Sequence, residues 1–133
     1  MIIKTLGLLS YDESLEKMRR FTRDRSELTE DELWLTEHPP TYTLGLKTKA
    51  EHILNPDHKI PLIQSDRGGQ ITYHGPGQIV AYTLFDLRRL NLTVRKAVRL
   101  LEQTTINLLS SLGIVALGDK ARPGVYVLSL IHI

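Results

Sequence analysis

Residues 65–78 read SDRGGQITYHGPGQ and hold four of the chain's nine glycines. Among them sit one guanidinium, Arg67, one imidazole, His74, and a carboxylate, Asp66, beside the arginine. A guanidinium offers a planar fork of donors that matches a carboxylate or phosphate. An imidazole near neutrality donates, accepts or carries a proton. Glycine reaches backbone conformations closed to other residues and lets a ligand lie close against the chain. As a strand, QITYH places Gln70, Thr72 and His74 on one face and Ile71 and Tyr73 on the other. One face is then core and the other the polar wall of a cleft. The plainer alternative is a hairpin with two glycine turns, an exposed Arg67 and a hydrogen-bonded His74. Asp66 either holds Arg67 through a charged hydrogen bond or caps a turn. No Gly-Lys-Ser/Thr follows, so the stretch is not a P-loop, and no helix opens directly after the glycines as a dinucleotide site requires.

The elements that must position these residues are strands and helices in mixed order. IIKTLGL at the start alternates as a strand does. SYDESLEKMRRFTRDR reads as a helix, with Ser10 and Glu13 at capping-box spacing. On it Tyr11, Leu15, Met18 and Thr22 share one face and the arginines the other. DELWLTEH is a strand that stops at Pro39-Pro40, since proline removes a ladder donor, and TYTLGL is a second short one. KTKAEHILNPDHK is a polar loop with one helical turn at Ala50–Leu54. IPLIQSD reads as a buried strand and QIVAYTLFDL as a long one, β-branched and aromatic. TVRKAVRLLEQTTINLLSSLG is the strongest helix: Val94, Ala97, Val98, Leu101, Leu108, Leu109 and Leu112 form a stripe, and Gly113 is its natural stop. IVAL and GVYVLSL are strands around GDKARP. The expected class is α/β (α+β), a mixed β-sheet with flanking helices in a single domain over 1–133.

Composition narrows the function. The chain has 133 residues, 41% hydrophobic and 24% charged, with net charge +2 and a pI near 9.0. Nucleic acid calls for a denser basic patch than this. There is no cysteine, so disulfides, thiolate metal sites and a thiol nucleophile are excluded within these residues. The start lacks the apolar core of a signal peptide. No stretch approaches the roughly 18 apolar residues of a membrane span, so no membrane partner and a cytoplasmic location are expected. His52, His58 and His132 are scattered without metal-ligand spacing, and no metal is expected. Trp34 reads as core, Tyr42 as core or pocket wall, and His38 as a hydrogen bonder at a strand end. Arg88-Arg89 and Arg95-Lys96-Arg99 form either a solvated face or a surface for an acidic partner.

The string SDRGGQITYHGPGQIVAYTLFDLRRL resembles the signature region of the lipoyl(octanoyl) transferases. ELWLTEHPPTYTLG before it and ARPGVYV after it resemble the neighbouring segments of that family, and KAEHIL and LEQTTINLLSSLGI fit the same register. The likeness runs from Leu6 to about Val127. It implies the fold of the biotin and lipoate protein ligase catalytic domain. It also implies transfer of an octanoyl group from acyl carrier protein to a lysine of lipoyl domains, those of the oxo-acid dehydrogenases and of the glycine-cleavage H protein, within lipoate biosynthesis. No cofactor is implied. The residues that line the acyl pocket are, by resemblance, Arg67, Gly68, Gly69, Gln70, Ile71, Thr72, Tyr73 and His74. His74 either orients the acyl carbonyl or the attacking amine, or holds the loop.

The family pattern places a lysine and then a nucleophilic cysteine beyond Gly-Val-Tyr-Val, the lysine lowering the thiol pKa. Here Val127 is followed by LSLIHI, unlike the family, and no lysine follows Lys120. No catalytic residue is therefore assigned. The expectation is the N-terminal portion of such a domain with an atypical tail at 128–133, inactive as it stands. Two other readings remain: a ligase of the same superfamily that uses ATP, and a non-catalytic module that binds an acyl group or its carrier.

Overall fold

The computed structural model describes residues 1–49, 51, 53–54, 59–119 and 124–127. They form two compact units, residues 1–85 and 86–133. The expected turn at Ala50–Leu54, His52, His58, most of GDKARP, the tail 128–133 and His132 lie wholly or partly outside the described residues.

The first unit opens with strand β1 (Ile2–Leu8), helix α1 (Tyr11–Asp24) and strand β2 (Glu32–Glu37), with β1 and β2 parallel. The Ser10 hydroxyl caps α1 by accepting the Glu13 N–H, as the capping-box spacing predicts. The face that α1 buries differs from the expected one. Tyr11 and Ser14 are buried, Phe21 packs edge-on to Trp34 at 5.9 Å, and Thr22 is exposed. The stripe follows 11, 14, 18 and 21, which a 3.6-residue period accommodates as readily as 11, 15, 18 and 22.

β2 buries Glu32, Trp34, Thr36 and, just past its end, His38, while Leu33 and Leu35 are only half-buried. Trp34 is core, as expected. A charged residue can be buried here because Lys4, on the parallel neighbour, reaches the Glu32 carboxylate at 2.6–2.8 Å and the Trp34 indole N–H donates to it.

The chain continues through strands β3 (Thr41–Leu44), β4 (Leu62–Gln64), β5 (Ile71–His74) and β6 (Val80–Leu84). The strand orders are β1-β2-β6 and β4-β3-β5, each sheet mixing a parallel and an antiparallel pair. The β2–β3 and β5–β6 joins both carry the chain from one three-stranded sheet to the other. Pro39-Pro40 lies in the first join. Gly75-Pro76-Gly77 lies in the second as a type II turn, with Gly77 at φ 86° and Gln78 N–H donating to Gly75 O. The Glu37 carboxylate ties the joins together by accepting the Gly77 N–H at 2.7 Å.

Two strand expectations change. β4 is an edge strand whose Leu62 and Gln64 are exposed, not a buried one. β6 is five residues long and ends at Leu84, short of the run to Leu87.

The second unit holds helix α2 (Val94–Ser111) and strands β7 (Ala116–Gly118) and β8 (Val125–Val127), the strands antiparallel. Thr93 caps the start of α2. Gly113, at φ 76°, closes its end as a Schellman motif: its N–H donates to Ser110 O and that of Ile114 to Leu109 O. The expected apolar stripe is not buried. Val94, Leu101, Leu108 and Leu112 are exposed, and none of α2 is buried among the described residues. Among the described residues of its unit, two three-residue strands pack on this helix. They leave an open groove of about 520 Å³ beside Val98, Leu101 and Thr105, where Glu102 accepts the Gly124 N–H.

Candidate functional site

The glycine-rich stretch is not a hairpin. β4 and β5 flank β3 on opposite sides, so residues 65–70 cross over the end of β3. The crossing is hydrogen-bonded to the chain beneath it: Ser65 N–H donates to Leu44 O, Gly45 N–H to Gln70 O, Leu46 N–H to Arg67 O, and Lys47 N–H to Gly69 O. Gly45 is where the two backbones meet. A Cβ there would overlap the Gly69 carbonyl and lie 2.9 Å from Arg67 Nη1. Gly69 has φ 85°, whereas a Cβ at Gly68 would meet nothing within 4 Å. Gly45 and Gly69 are therefore required by the fold, and Gly68 faces open space.

Arg67 is bound to the chain itself. Its Nε and Nη2 donate to Thr43 Oγ1 at 3.1 and 2.9 Å, Nη2 also to Thr43 O and Gln70 O, and Nη1 to Gly68 O. The free fork for a carboxylate or phosphate, and the exposed arginine of the hairpin alternative, both give way to a staple across the loop. The reason is topological: the crossing brings carbonyls of the loop and of β3 together at one point, and a fixed cation gathers Thr43 O, Gly68 O and Gln70 O at once. Asp66 neither holds Arg67 nor caps the turn in the described contacts; it pairs with Arg19 at 3.2 Å, both side chains exposed.

The alternation of β5 follows its register. His74 lies opposite Thr41 and Thr72 opposite Thr43, while Tyr73 lies opposite Tyr42 with ring centroids 5.3 Å apart. Gln70 and Thr72 are exposed, Ile71 is half-buried and Tyr73 is 45% exposed.

His74 turns into a buried polar cluster. Its ring stacks on Tyr11 at 5.8 Å and meets the His38 ring edge-on at 5.6 Å. Its Nδ1 faces Gln78 Oε1 at 2.7 Å and its Nε2 faces Thr43 Oγ1 at 3.3 Å. Burial pushes the imidazole below its ordinary value of 6.5; the Gln78 hydrogen bond opposes this, and the charges of His38 and Arg67 add to it. His38 is fully buried, with Nδ1 2.6 Å from Leu9 O and Nε2 2.8 Å from the Tyr82 hydroxyl. Burial, with Tyr11 nearby, pushes the Tyr82 phenol above its ordinary value, so it stays protonated. The Tyr11 hydroxyl shares a 2.7 Å hydrogen bond with Ser65 at the foot of the crossing loop.

Sequence reasoning singled out Arg67 and His74 but not Thr43, Ser65 or Tyr82, which complete the cluster. His38 before the two prolines is a strand-end hydrogen bonder, as expected. No group of three or more metal-ligating side chains occurs among the described residues. No described helix is long and apolar enough to cross a membrane. Arg88, Arg89, Arg95, Lys96 and Arg99 are exposed in the second unit.

Residues 10–129 match the family described as "Lipoyl protein ligase A/B catalytic domain". The chain is 55% identical over 125 residues to an octanoyltransferase of Pseudomonas entomophila, covering 94% of this chain and 58% of that protein. It is 52% identical over 127 residues to an octanoyltransferase of Ectopseudomonas mendocina, covering 96% of this chain and 62% of that one. The chain thus spans about three fifths of the length of these relatives. Its fold is similar to that of the bi-partite lipoate protein ligase of Thermoplasma acidophilum, with TM-score 0.69, 18% identity, and coverage of 96% of this chain and 51% of that one.

Proposed function

The chain belongs to the lipoyl protein ligase A/B catalytic domain family, and from that premise we propose that it forms the acyl-binding part of an octanoyltransferase. The observation that carries this reading is the 55% identity to an octanoyltransferase over 94% of the chain, a span that takes in most of the 65–78 stretch. The reaction is transfer of an octanoyl group from acyl carrier protein to a lysine of lipoyl domains, in the cytoplasm. The thioester C–S bond breaks, an amide C–N bond forms, and the amine's proton leaves with the released thiol. The donor is already activated, so no ATP is needed. The acyl chain lies along residues 67–74, with Gly68 as the part of the floor that no side chain obstructs. The basic residues Arg88, Arg89, Arg95, Lys96 and Arg99 suit the acidic surface of a carrier protein. None of the 133 residues is a cysteine, so no thiol-linked acyl-enzyme forms on them. That fact favours a second reading, binding of the acylated carrier without turnover.

Titration with octanoyl-carrier protein, against octanoate plus ATP, separates these readings from a ligase. Binding of the acylated carrier without ATP is expected, and intact mass should show no octanoyl adduct. ATP-dependent formation of an octanoyl adenylate would overturn the proposal in favour of the ligase. Gly69→Val should weaken binding strongly, because φ 85° is closed to a β-branched residue. Unchanged binding by that variant would remove the glycines from the site.

A further inference from the structure

The contacts around Thr43 fix more than a distance. Arg67 Nε and Nη2 both approach Thr43 Oγ1, and a guanidinium only donates. The lone pairs of that hydroxyl therefore face the arginine, and its own proton points away. On the far side two acceptors lie within reach: His74 Nε2 at 3.3 Å and Thr72 O at 3.4 Å. A proton on His74 Nε2 would meet an oxygen already occupied by Arg67. At the other ring nitrogen, Gln78 Oε1 is an acceptor at 2.7 Å, while the Gln78 amide N–H donates to Tyr73 O. That pairing fixes the amide orientation and requires hydrogen on Nδ1. Both ends of the imidazole call for the same form.

We propose that Thr43 is a positioning residue: turned by Arg67, its hydroxyl donates to His74 Nε2 and locks His74 as a neutral Nδ1–H imidazole that ties down the 75–78 turn and exchanges no proton with the acyl substrate. Only the last clause rests on the octanoyl reading. His74 thus holds the loop rather than orienting the acyl carbonyl or the amine, since neither ring nitrogen is left to a ligand. The groups that bear on its charge are Tyr11 on α1, His38 past the end of β2, and Arg67 in the crossing loop. Behind them stand Tyr82 on β6, through His38, and Glu37, which reaches the same turn at Gly77.

The test is nitrogen NMR of the histidine side chains in the 133-residue chain, with His74 assigned from a His74→Gln sample. Near neutral pH, His74 should show a protonated Nδ1 and a bare Nε2. An Nε2–H tautomer or an imidazolium would overturn the proposal, and this reading needs no folded Thr43 variant. Thr43→Val removes the donor that keeps Nε2 bare while Gln78 still holds Nδ1–H, so His74 should gain its second proton, as the imidazolium, at higher pH than in the parent; Thr43→Ser should behave as the parent. A Thr43→Val spectrum identical to the parent's would also overturn it. Affinity for an octanoyl thioester is measured beside the spectra. Thr43→Val should weaken it by about tenfold, the scale of one lost hydrogen bond, with Thr43→Ser restoring it. If the parent binds no octanoyl thioester yet shows the Nδ1–H form, the octanoyl reading fails and the positioning role stands. If the parent binds but shows Nε2–H, the reverse holds.

Discussion

At the start of β2 a carboxylate is buried and stays charged; past its end, beside His38, the imidazole of His74 is half-buried and held neutral. Glu32 and His74 meet the same cost, removal of a titratable group from water. Burial alone raises the Glu32 carboxyl. Hydrogen bonds from Lys4 and Trp34 and the Lys4 charge outweigh it, so the group ends below its ordinary value. No carboxylate is among the described partners of His74. Its neighbours are an amide, a hydroxyl and two cation-forming groups, Arg67 and His38. Burial and the charges of His38 and Arg67 push the same way and outweigh the Gln78 hydrogen bond, so the group ends below its ordinary value. Burial opposes the charged form at both sites, and the charge survives only where a group of opposite sign stands beside it, as Lys4 does beside Glu32.

The contrast breaks most visibly at Lys4. Removing it strands the Glu32 carboxylate, and Lys4→Met should destabilise the first unit by about 3 kcal/mol, the low end for a broken buried pair because Lys4 is partly exposed. The double variant Lys4→Met with Glu32→Gln should be more stable than the single one, since no charge is left unpaired. Denaturant titration of both variants measures the difference. If Lys4→Met were the more stable of the two, Glu32 would not be held charged by Lys4.

A smaller effect is expected at the neutral end. His38→Phe keeps the ring and loses both hydrogen bonds, leaving Leu9 O and the Tyr82 hydroxyl without partners. The cost should be about 2 kcal/mol, the desolvation of two half-buried polar groups. His38→Gln should recover part of it. Equal stability of the phenylalanine and glutamine variants would mean that water already reaches these groups.

Much of the framework is legible from local pattern, because capping, period and breakers act between residues close in sequence. Ser10, Thr93 and Gly113 end their helices where their side chains or φ values require. What sequence does not disclose is pairing. Nothing local in SDRGG says that β4 and β5 flank β3 rather than each other. The crossing loop, the need for glycine at 45 and the inward turn of Arg67 all follow from that one fact. Thr43 is likewise an ordinary strand threonine until the loop brings a guanidinium to one side of it and an imidazole to the other. Glu32 on the buried face of β2 reads as a misplaced charge until the parallel strand supplies Lys4. The stripe on α2 misleads in the opposite sense: its pattern is strong, yet the described residues of its own unit offer two short strands to cover it.

The smallest effect is a pH dependence in which both ends of β2 take part with the same sign. The ordinary histidine value is 6.5, and the folded value of His74 lies below it. As pH falls through 6.5, the unfolded chain takes up a proton that the folded chain refuses. Its stability therefore declines until the folded value is reached, after which this group contributes no further change. Glu32 repeats the pattern lower down. Its folded value lies below 4.5, so the stability from its pairing is whole above 4.5 and is lost as pH falls through the folded value. Chemical denaturation midpoints measured against pH should then fall in two steps, the first beginning near neutrality and the second in the carboxylate range. The variants tell the steps apart. Thr43→Val lets His74 titrate higher, closer to its unfolded value, so the first step should shrink while the second is kept. Lys4→Met withdraws what lowers Glu32, so the second should shrink while the first is kept. If Thr43→Val left the first step at full size, the decline near neutrality would belong to another histidine, and the proposed lock on His74 would lose its thermodynamic signature.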